Sequence, residues 1–594
     1  MPTYYLNQKF KTTIKPYKTP DNRYTCIFEG VLTNEHDLCK KLKKTGIHLF
    51  APTTEEIILE LYRFCGDSFA QELCGTFTII IFDKEHHQLI AARDRYGVRP
   101  LYYKLVNNGI KIASKLTEFQ IKSKTLLDGL DKNALRHYFS YGYIPEEYTY
   151  LKNVHHVPAG CLLKYNEERL TITPFTDMLV IEGTHQQLID EQLLHTVLTK
   201  GICTGLSADK VIGILYTGKT EERVLATIAK QAGCEVKIFS AEFYKKQITD
   251  NSIKTNKAQQ KNNDNDRDTT VNEPHETDNS IKTNKAHQKN NDNDCYTTVN
   301  EMHETDNSIK INKAHQKNND NDRDTTVNEM HETDNSIKIS QTHQKISAKD
   351  YWHATLNAIH AMDIPLADPS APIDYLLAKL ASQNVDMLLL AEGADVLFGT
   401  NGTIFERMKK RNGLIFTENA KTKLLKFEGN PWSEISNPYL EQISDLDSTS
   451  KWQTLELNIR LKGSTILKKE RLTKYHDLKA NFPFLNDETL NIAKFLTNDE
   501  KKSMFLLKKI FANQILDSQL PKKKDVHKIP LATWIRTDLY ENIKTIFKQD
   551  IVEEIFNTDI LFTMLQQHHL GFRDLSCRIW AVTVFIIWLT KLKN

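Results

Sequence analysis

The sequence predicts a strand-rich first part followed by an α/β second part, with a low-complexity tract set inside the second. Three observations predict this. Arg23 to Gly30, Gly75 to Asp83 and Gln88 to Ala92 alternate or run apolar with β-branched and aromatic residues, while Thr54 to Cys65 carries helical spacing. Val211 to Gly233 reads as a short apolar strand, a turn at Gly218 and a helix, followed by the strand "EVKIFSAEF", which together make a βαβ unit. Finally, a polar unit beginning at Asn251 recurs at Asn279 and Asn307, with a broken copy at Asn335, a period of 28 residues. The expected organisation is a first domain over 1–175, a second over 190–594, and an insert over 245–342.

Bulk charge excludes one class of function. The 78 Lys+Arg and 76 Asp+Glu leave +2 on 594 residues, so no signed field asks for a polyanion or a membrane surface. Neither nucleic acid nor a membrane is expected as a partner. Nine cysteines without CxxC pairs or His spacing point away from disulfide frameworks and zinc sites, and toward a reduced, cytoplasmic setting. The start "MPTYYLNQKF" has no basic n-region before an apolar core. Ile579 to Thr590 is apolar but falls short of the roughly 20 residues a spanning helix needs. A buried terminal helix is expected there.

In the first repeat copy only Ile253, Ala258 and Val271 are aliphatic, too few to offset the ordering entropy of a packed fold. Disorder is expected. These three residues share no heptad seam, and "DNDRD" at Asp264 to Asp268 lacks the glycine and terminal glutamate of a calcium loop. No metal site is expected. Without three repeat units the chain has the ordinary size of a two-domain enzyme.

"GTFTIIIFDKEHHQLIAARDRYGVRPLYY", Gly75 to Tyr103, reads as two strands, a polar turn, and a charged loop bent at Gly97 and Pro100. It resembles the glutaminase-type amidotransferase domain of the asparagine synthetase family, as does "LRHYFSYGYIPEEYTYLKNVHHVPAGCLLKY", Leu135 to Tyr165. The resemblance implies a layered β domain of class II amidotransferase type, then a doubly wound α/β domain of ATP-pyrophosphatase type. It also implies a glutaminase cysteine directly after the initiator methionine, whose free amine serves as its base. Pro2 stands there, and Cys26 lies inside a strand-like run where a structural thiol is the plain reading. The family's "NGEIYN" segment aligns with "EGVLTN", placing Glu29 at the oxyanion asparagine and Val31 at the substrate-holding glutamate. A carboxylate cannot donate a hydrogen bond to an oxyanion. The family's arginine-containing stretch before this point is missing too. Loss of glutamine hydrolysis is expected.

In the second part, "TGKTEE" aligns with the family's pyrophosphate loop "SGGxDS". The resemblance assigns nucleotide contacts to Thr217, Gly218 and Glu221. Lys219 replaces the second glycine, and Glu222 replaces the serine. Like charges near 4 Å repel by about 4 kcal/mol at an effective dielectric constant of about 20, more than two carboxylates gain at a helix start. Weak ATP binding follows unless Lys219 and a magnesium ion compensate. A rival reading remains open, because Gly213 to Thr220, "GILYTGKT", fits a P-loop letter for letter between a strand and a helix.

"DIPLADPSAPIDYLLAKLA" and "DMLLLAEGADVLFGTN" resemble the family's stretches beside adenylate and magnesium pyrophosphate. Glu392 and Asp395 match its two carboxylates, Glu392 in a catalytic and Asp395 in a nucleotide-binding role, whereas Leu390, Ala391 and Val396 depart. "HDLKANFPFLND", His476 to Asp487, keeps the outline with Lys479 and Asn481 in altered places. "PKKKDVHKIPLATWIR" places Lys524 on the family's transition-state lysine, against the plain reading of a solvated basic cluster. The insert follows Phe243, where the family carries a site-enclosing loop.

Two functions stay open. One is an asparagine-synthetase-like ligase activating aspartate with ATP and magnesium and using free ammonia or another amine. The other is an inert relative kept as a binding or scaffold protein. The expected partners are a small molecule such as aspartate and a second copy of the chain.

Overall fold

The computed structural model describes residues 16–47, 49, 52–107, 109–119, 125–166, 169–183, 190–244, 339–399, 405, 408, 409, 413–512, 514, 520 and 528–593. In the first part, β1 (Tyr17–Lys18), β2 (Tyr24–Leu32), β3 (Gly75–Asp83), β4 (Gln88–Arg93), β8 (Cys161–Asn166) and β9 (Arg169–Pro174) form one six-stranded antiparallel sheet in that order. A second sheet has the order β6 (Gly109–Ala113), β5 (Tyr102–Val106), β7 (His155–His156).

The apolar run in β3 is explained by burial on both faces. Side chains alternate along a strand, so Ile79 and Ile81 enter one core while Ile80 enters another. The first core is closed by the helix Thr54–Cys65 through Ile57, Ile58 and Leu61. The second is closed by Tyr103, Ile110 and Ile112 of the smaller sheet. Helix layer, sheet and sheet thus stack in the layered arrangement the resemblance implied. Gly75, opposite Leu32, has no room for a side chain: a Cβ there would lie 2.1 Å from the Val31 carbonyl oxygen.

The second part is built on a parallel sheet in the order β12 (Ile339–Ile346), β11 (Glu235–Phe243), β10 (Val211–Leu215), β13 (Met387–Leu389), β14 (Lys479–Asn481). Counted from β10, that order is 3-2-1-4-5. The chain winds outward from β10 to β12 and then returns to β13 on its other side. Ligands of such sheets bind where the order reverses, outside the carboxyl ends of the two diverging strands. Here those strands are β10 and β13.

The tandem repeats lie outside the described residues. The expected insert over 245–342 nevertheless ends too late, because β12 begins at Ile339 and pairs Ile339 with Val236 through Ile346 with Phe243. Eight parallel partners in register absorb a segment whose polar sequence alone signals no strand.

The carboxy-terminal helix Ser576–Lys593 is buried around Ile579, Trp580, Val582, Phe585 and Leu589, as expected of a helix apolar on all sides. Among the described residues no helix is long and apolar enough to cross a membrane. The helix Lys132–Tyr141 joins the same core, with the Tyr138 hydroxyl donating to the Ala581 carbonyl at 2.8 Å and that of Tyr141 to the Trp432 carbonyl at 2.8 Å.

Candidate nucleotide site

β10 ends at Leu215, and after Tyr216 the turn Thr217–Lys219 leads into the helix Thr220–Gln231. Gly218 takes φ 85°, a left-handed value that favours glycine. Glu222, at the third helical position, folds back over the turn. Its Oε2 accepts from the Lys219 amide at 3.1 Å and the Thr217 amide at 2.6 Å, and its Oε1 accepts from the Thr217 hydroxyl at 2.6 Å. The first contact is that of a capping box. The other two extend it, so one carboxylate takes three donors of the turn, two amides and a hydroxyl.

Glu221 and Glu222 are only 4% and 6% exposed, so neither charge is relieved by water. Burial, with Glu222 beside it and against the pull of Lys219, pushes the Glu221 carboxyl up to about 7. Burial also raises Glu222, opposed by Lys219 and by the Thr217 hydrogen bonds. Lys219 Nζ lies 3.8 Å from Glu221 Oε1. Burial works against that ammonium, but Glu221, Asp395, Glu222 and Glu392 together hold it above the ordinary lysine range.

A carboxyl raised in the folded state is favourable while protonated. It costs stability as pH climbs from the unfolded value near about 4 through about 7. Glu221→Gln is therefore expected to raise the thermal midpoint at pH 8 and change it little at pH 5. A series of melts across that range checks it, and an equal shift at both pH values would contradict the assignment.

The neighbouring strand supplies the other carboxylates. β13 ends at Leu389, Glu392 follows on the loop, Gly393 adopts φ 94°, and Asp395 opens the short helix Ala394–Phe398. A Cβ on Gly393 would meet Leu485 Cδ2 at 2.4 Å. The fold thus brings Thr217, Gly218, Glu221, Glu392 and Asp395 to adjacent strand ends at the switch point. Lys524 lies outside the described residues.

Each carboxylate at that crevice has a cation from the same chain. Glu392 Oε1 lies 3.4 Å from Lys469 Nζ, and Asp395 Oδ2 lies 3.7 Å from Arg460 Nη2. Lys469 also pairs with Asp374 at 2.8 Å, and Arg460 with Glu456. Sequence reasoning missed Lys469, Arg460 and Asp374. The doublet Lys468–Lys469 and the lone Asp374 in "APIDYLL" were the available signals, but only folding shows that they meet. With the Thr217 amide and hydroxyl and the Lys219 amide taken by Glu222, and with Glu392 and Asp395 paired, the residues as arranged do not fit a triphosphate with magnesium.

The P-loop alternative fails on the strand. Gly213 sits inside β10, paired with Lys237 and Leu388, and a Cβ there would strike Leu388 Cδ2 at 2.6 Å. It lies inside the strand, where the first glycine of a P-loop would end it.

In the first part, Pro2 lies outside the described residues. Cys26 is fully buried in β2, and burial pushes its thiol far up, consistent with a structural role. Alkylation of the native chain is expected to leave Cys26 unlabelled while the exposed Cys74 reacts; peptide mapping checks it. Glu29 forms ion pairs with Lys474 and, at 3.4 Å, with Arg99.

Comparison with known proteins agrees with this layout. The description "Glutamine amidotransferase domain" matches residues 9–176, and "Asparagine synthase" matches residues 316–590. Asparagine synthetase [glutamine-hydrolyzing] 1 of Bacillus subtilis is 22% identical, over 97% of this chain and 86% of its own. The chain belongs to the asparagine synthetase family. A putative asparagine synthetase of Mycobacterium bovis is 20% identical over 96% of this chain and 85% of its own. Amidase chyE of Penicillium rubens is 27% identical over 36% of this chain and 31% of its own. Among solved structures, glutamine phosphoribosylpyrophosphate amidotransferase of B. subtilis is 16% identical over 38% of this chain and 47% of its own, with a TM-score of 0.19. The family's second match starts after the turn Thr217–Glu222, which therefore lies outside both matched stretches.

Proposed function

We propose that this asparagine synthetase family protein neither hydrolyses glutamine nor forms an acyl adenylate, and serves instead as a binding or scaffold protein. One observation carries the reading: the Glu222 carboxylate accepts from the Thr217 amide, the Thr217 hydroxyl and the Lys219 amide. A phosphate group arriving there would have to displace a buried anion and then sit beside Glu221. The carboxylate at position 29 supports the loss of glutamine hydrolysis independently. Cys26, Cys39, Cys65, Cys74, Cys161, Cys203 and Cys234 are free thiols, which supports placing the protein in a reducing, cytoplasmic compartment.

A second reading, a ligase that uses free ammonia on aspartate, is favoured by the survival of Glu392 and Asp395 at the switch point with Lys219 between the loops. Purified protein incubated with aspartate, ammonia, magnesium and ATP separates the two. The expected result is no pyrophosphate release and no calorimetric ATP binding. Saturable turnover would establish the ligase instead.

A further inference from the structure

The helix Leu467–Tyr475 touches both places where the family's chemistry would occur. At about 100° per residue, Lys468 and Lys469 face one way while Glu470, Arg471 and Lys474 face another. The first pair reaches the crevice side. Lys468 Nζ binds Asp368 at 2.6 Å, Ser370 Oγ at 2.6 Å and Asp374 at 2.8 Å, and Lys469 binds Asp374 and Glu392. The second group reaches the amidotransferase domain. Glu470 pairs with Arg99 at 2.8 Å, Arg471 donates to the Tyr102 hydroxyl at 2.6 Å, and Lys474 pairs with Glu29.

Most of these groups are shielded from water: Lys468, Glu470 and Arg471 have side chains 5%, 3% and 7% exposed. Screening is weak there, and each pair holds its geometry because losing one partner strands a buried charge. Arg471 is tied further to the Met362 carbonyl and to Asp363 at 3.8 Å, anchoring the helix laterally.

We infer that the helix Leu467–Tyr475 is a coupling element that transmits the docking of the amidotransferase domain, sensed at Glu29, Arg99 and Tyr102, to the position of Glu392 at the candidate nucleotide site. Glu29 stands where an oxyanion donor would be in a working glutaminase. In this chain that place holds the two domains together instead. Lys469 is then a positioning residue for Glu392, and Lys474 is the contact through which the other domain reaches it. The inference does not depend on whether the nucleotide site is active.

Hydrogen exchange on the full-length chain tests it. Glu29→Gln and Lys474→Met are each expected to speed amide exchange roughly tenfold in two separate segments, 467–475 and 387–395, with the helix Ser576–Lys593 at its wild-type rate. Combining the two changes should add little to Glu29→Gln alone, because both remove the Glu29–Lys474 pair. Should either variant fold poorly, Tyr102→Phe removes a single hydroxyl from the same face and is expected to act in the same direction to a smaller degree. Faster exchange confined to β2 and its neighbours, with 387–395 at wild-type protection in every variant, would overturn the inference.

Discussion

Asp374→Ala is expected to destabilise the protein by about 3 kcal/mol, the cost of breaking a buried charge cluster from one side. Asp374 is 7% exposed and lies between Lys468 and Lys469, each at 2.8 Å. Removing it leaves two ammonium groups beside each other, with Asp368 and Glu392 as the remaining partners. Burial works against ionisation of this aspartate, but the two lysines outweigh it and hold the carboxyl at about 2. The sign of the pH effect follows. A carboxyl depressed in the folded state contributes fully above the unfolded value near about 4, and that contribution, on the order of 2 kcal/mol, is lost as pH falls toward about 2. Urea unfolding of wild type and Asp374→Asn should therefore differ most at neutral pH and converge below about pH 2. Equal midpoints at pH 7 would show that the Asp374 ion pairs do not stabilise the fold.

The double change Lys219→Gly with Glu222→Ser is expected to raise affinity for magnesium ATP by about a hundredfold, since removing a like charge near 4 Å is worth up to about 4 kcal/mol before screening. It clears the carboxylate from the Thr217 amide and hydroxyl and removes the side chain at the second glycine place. The same change removes a capping box, so the helix Thr220–Gln231 should lose about 1 kcal/mol. Calorimetry with the nucleotide and a denaturation curve read the two effects separately. A folded double variant with no measurable gain in affinity would show that crowding at the turn is not what weakens binding, and would send the explanation to Glu392, Asp395 and their cations.

Much of the architecture was legible before folding. The helix Thr54–Cys65 and the strand Gly75–Asp83 were visible with these bounds because their periods are local, and the βαβ unit at Val211 was visible because a strand, a glycine turn and a helix follow one another without interruption. The strand Ile339–Ile346 was not legible. Its sequence "ISQTHQKI" has too little apolar character to announce a strand, and it forms because β11 offers a long parallel edge.

The site divides in the same way. Sequence alone established that position 29 is a carboxylate, which cannot donate a hydrogen bond when ionised, and that Lys219, Glu221 and Glu222 follow the strand-like run Val211 to Leu215 at a glycine turn. Only the tertiary structure decided where those carboxylates go: Glu222 back onto its own turn, Glu392 to Lys469 and Asp395 to Arg460. A one-dimensional pattern records which charges exist, but whether a charge meets a ligand, water or another side chain depends on distances of a few ångströms between residues far apart in sequence, and those are set by how the parallel sheet and the helix Leu467–Tyr475 pack.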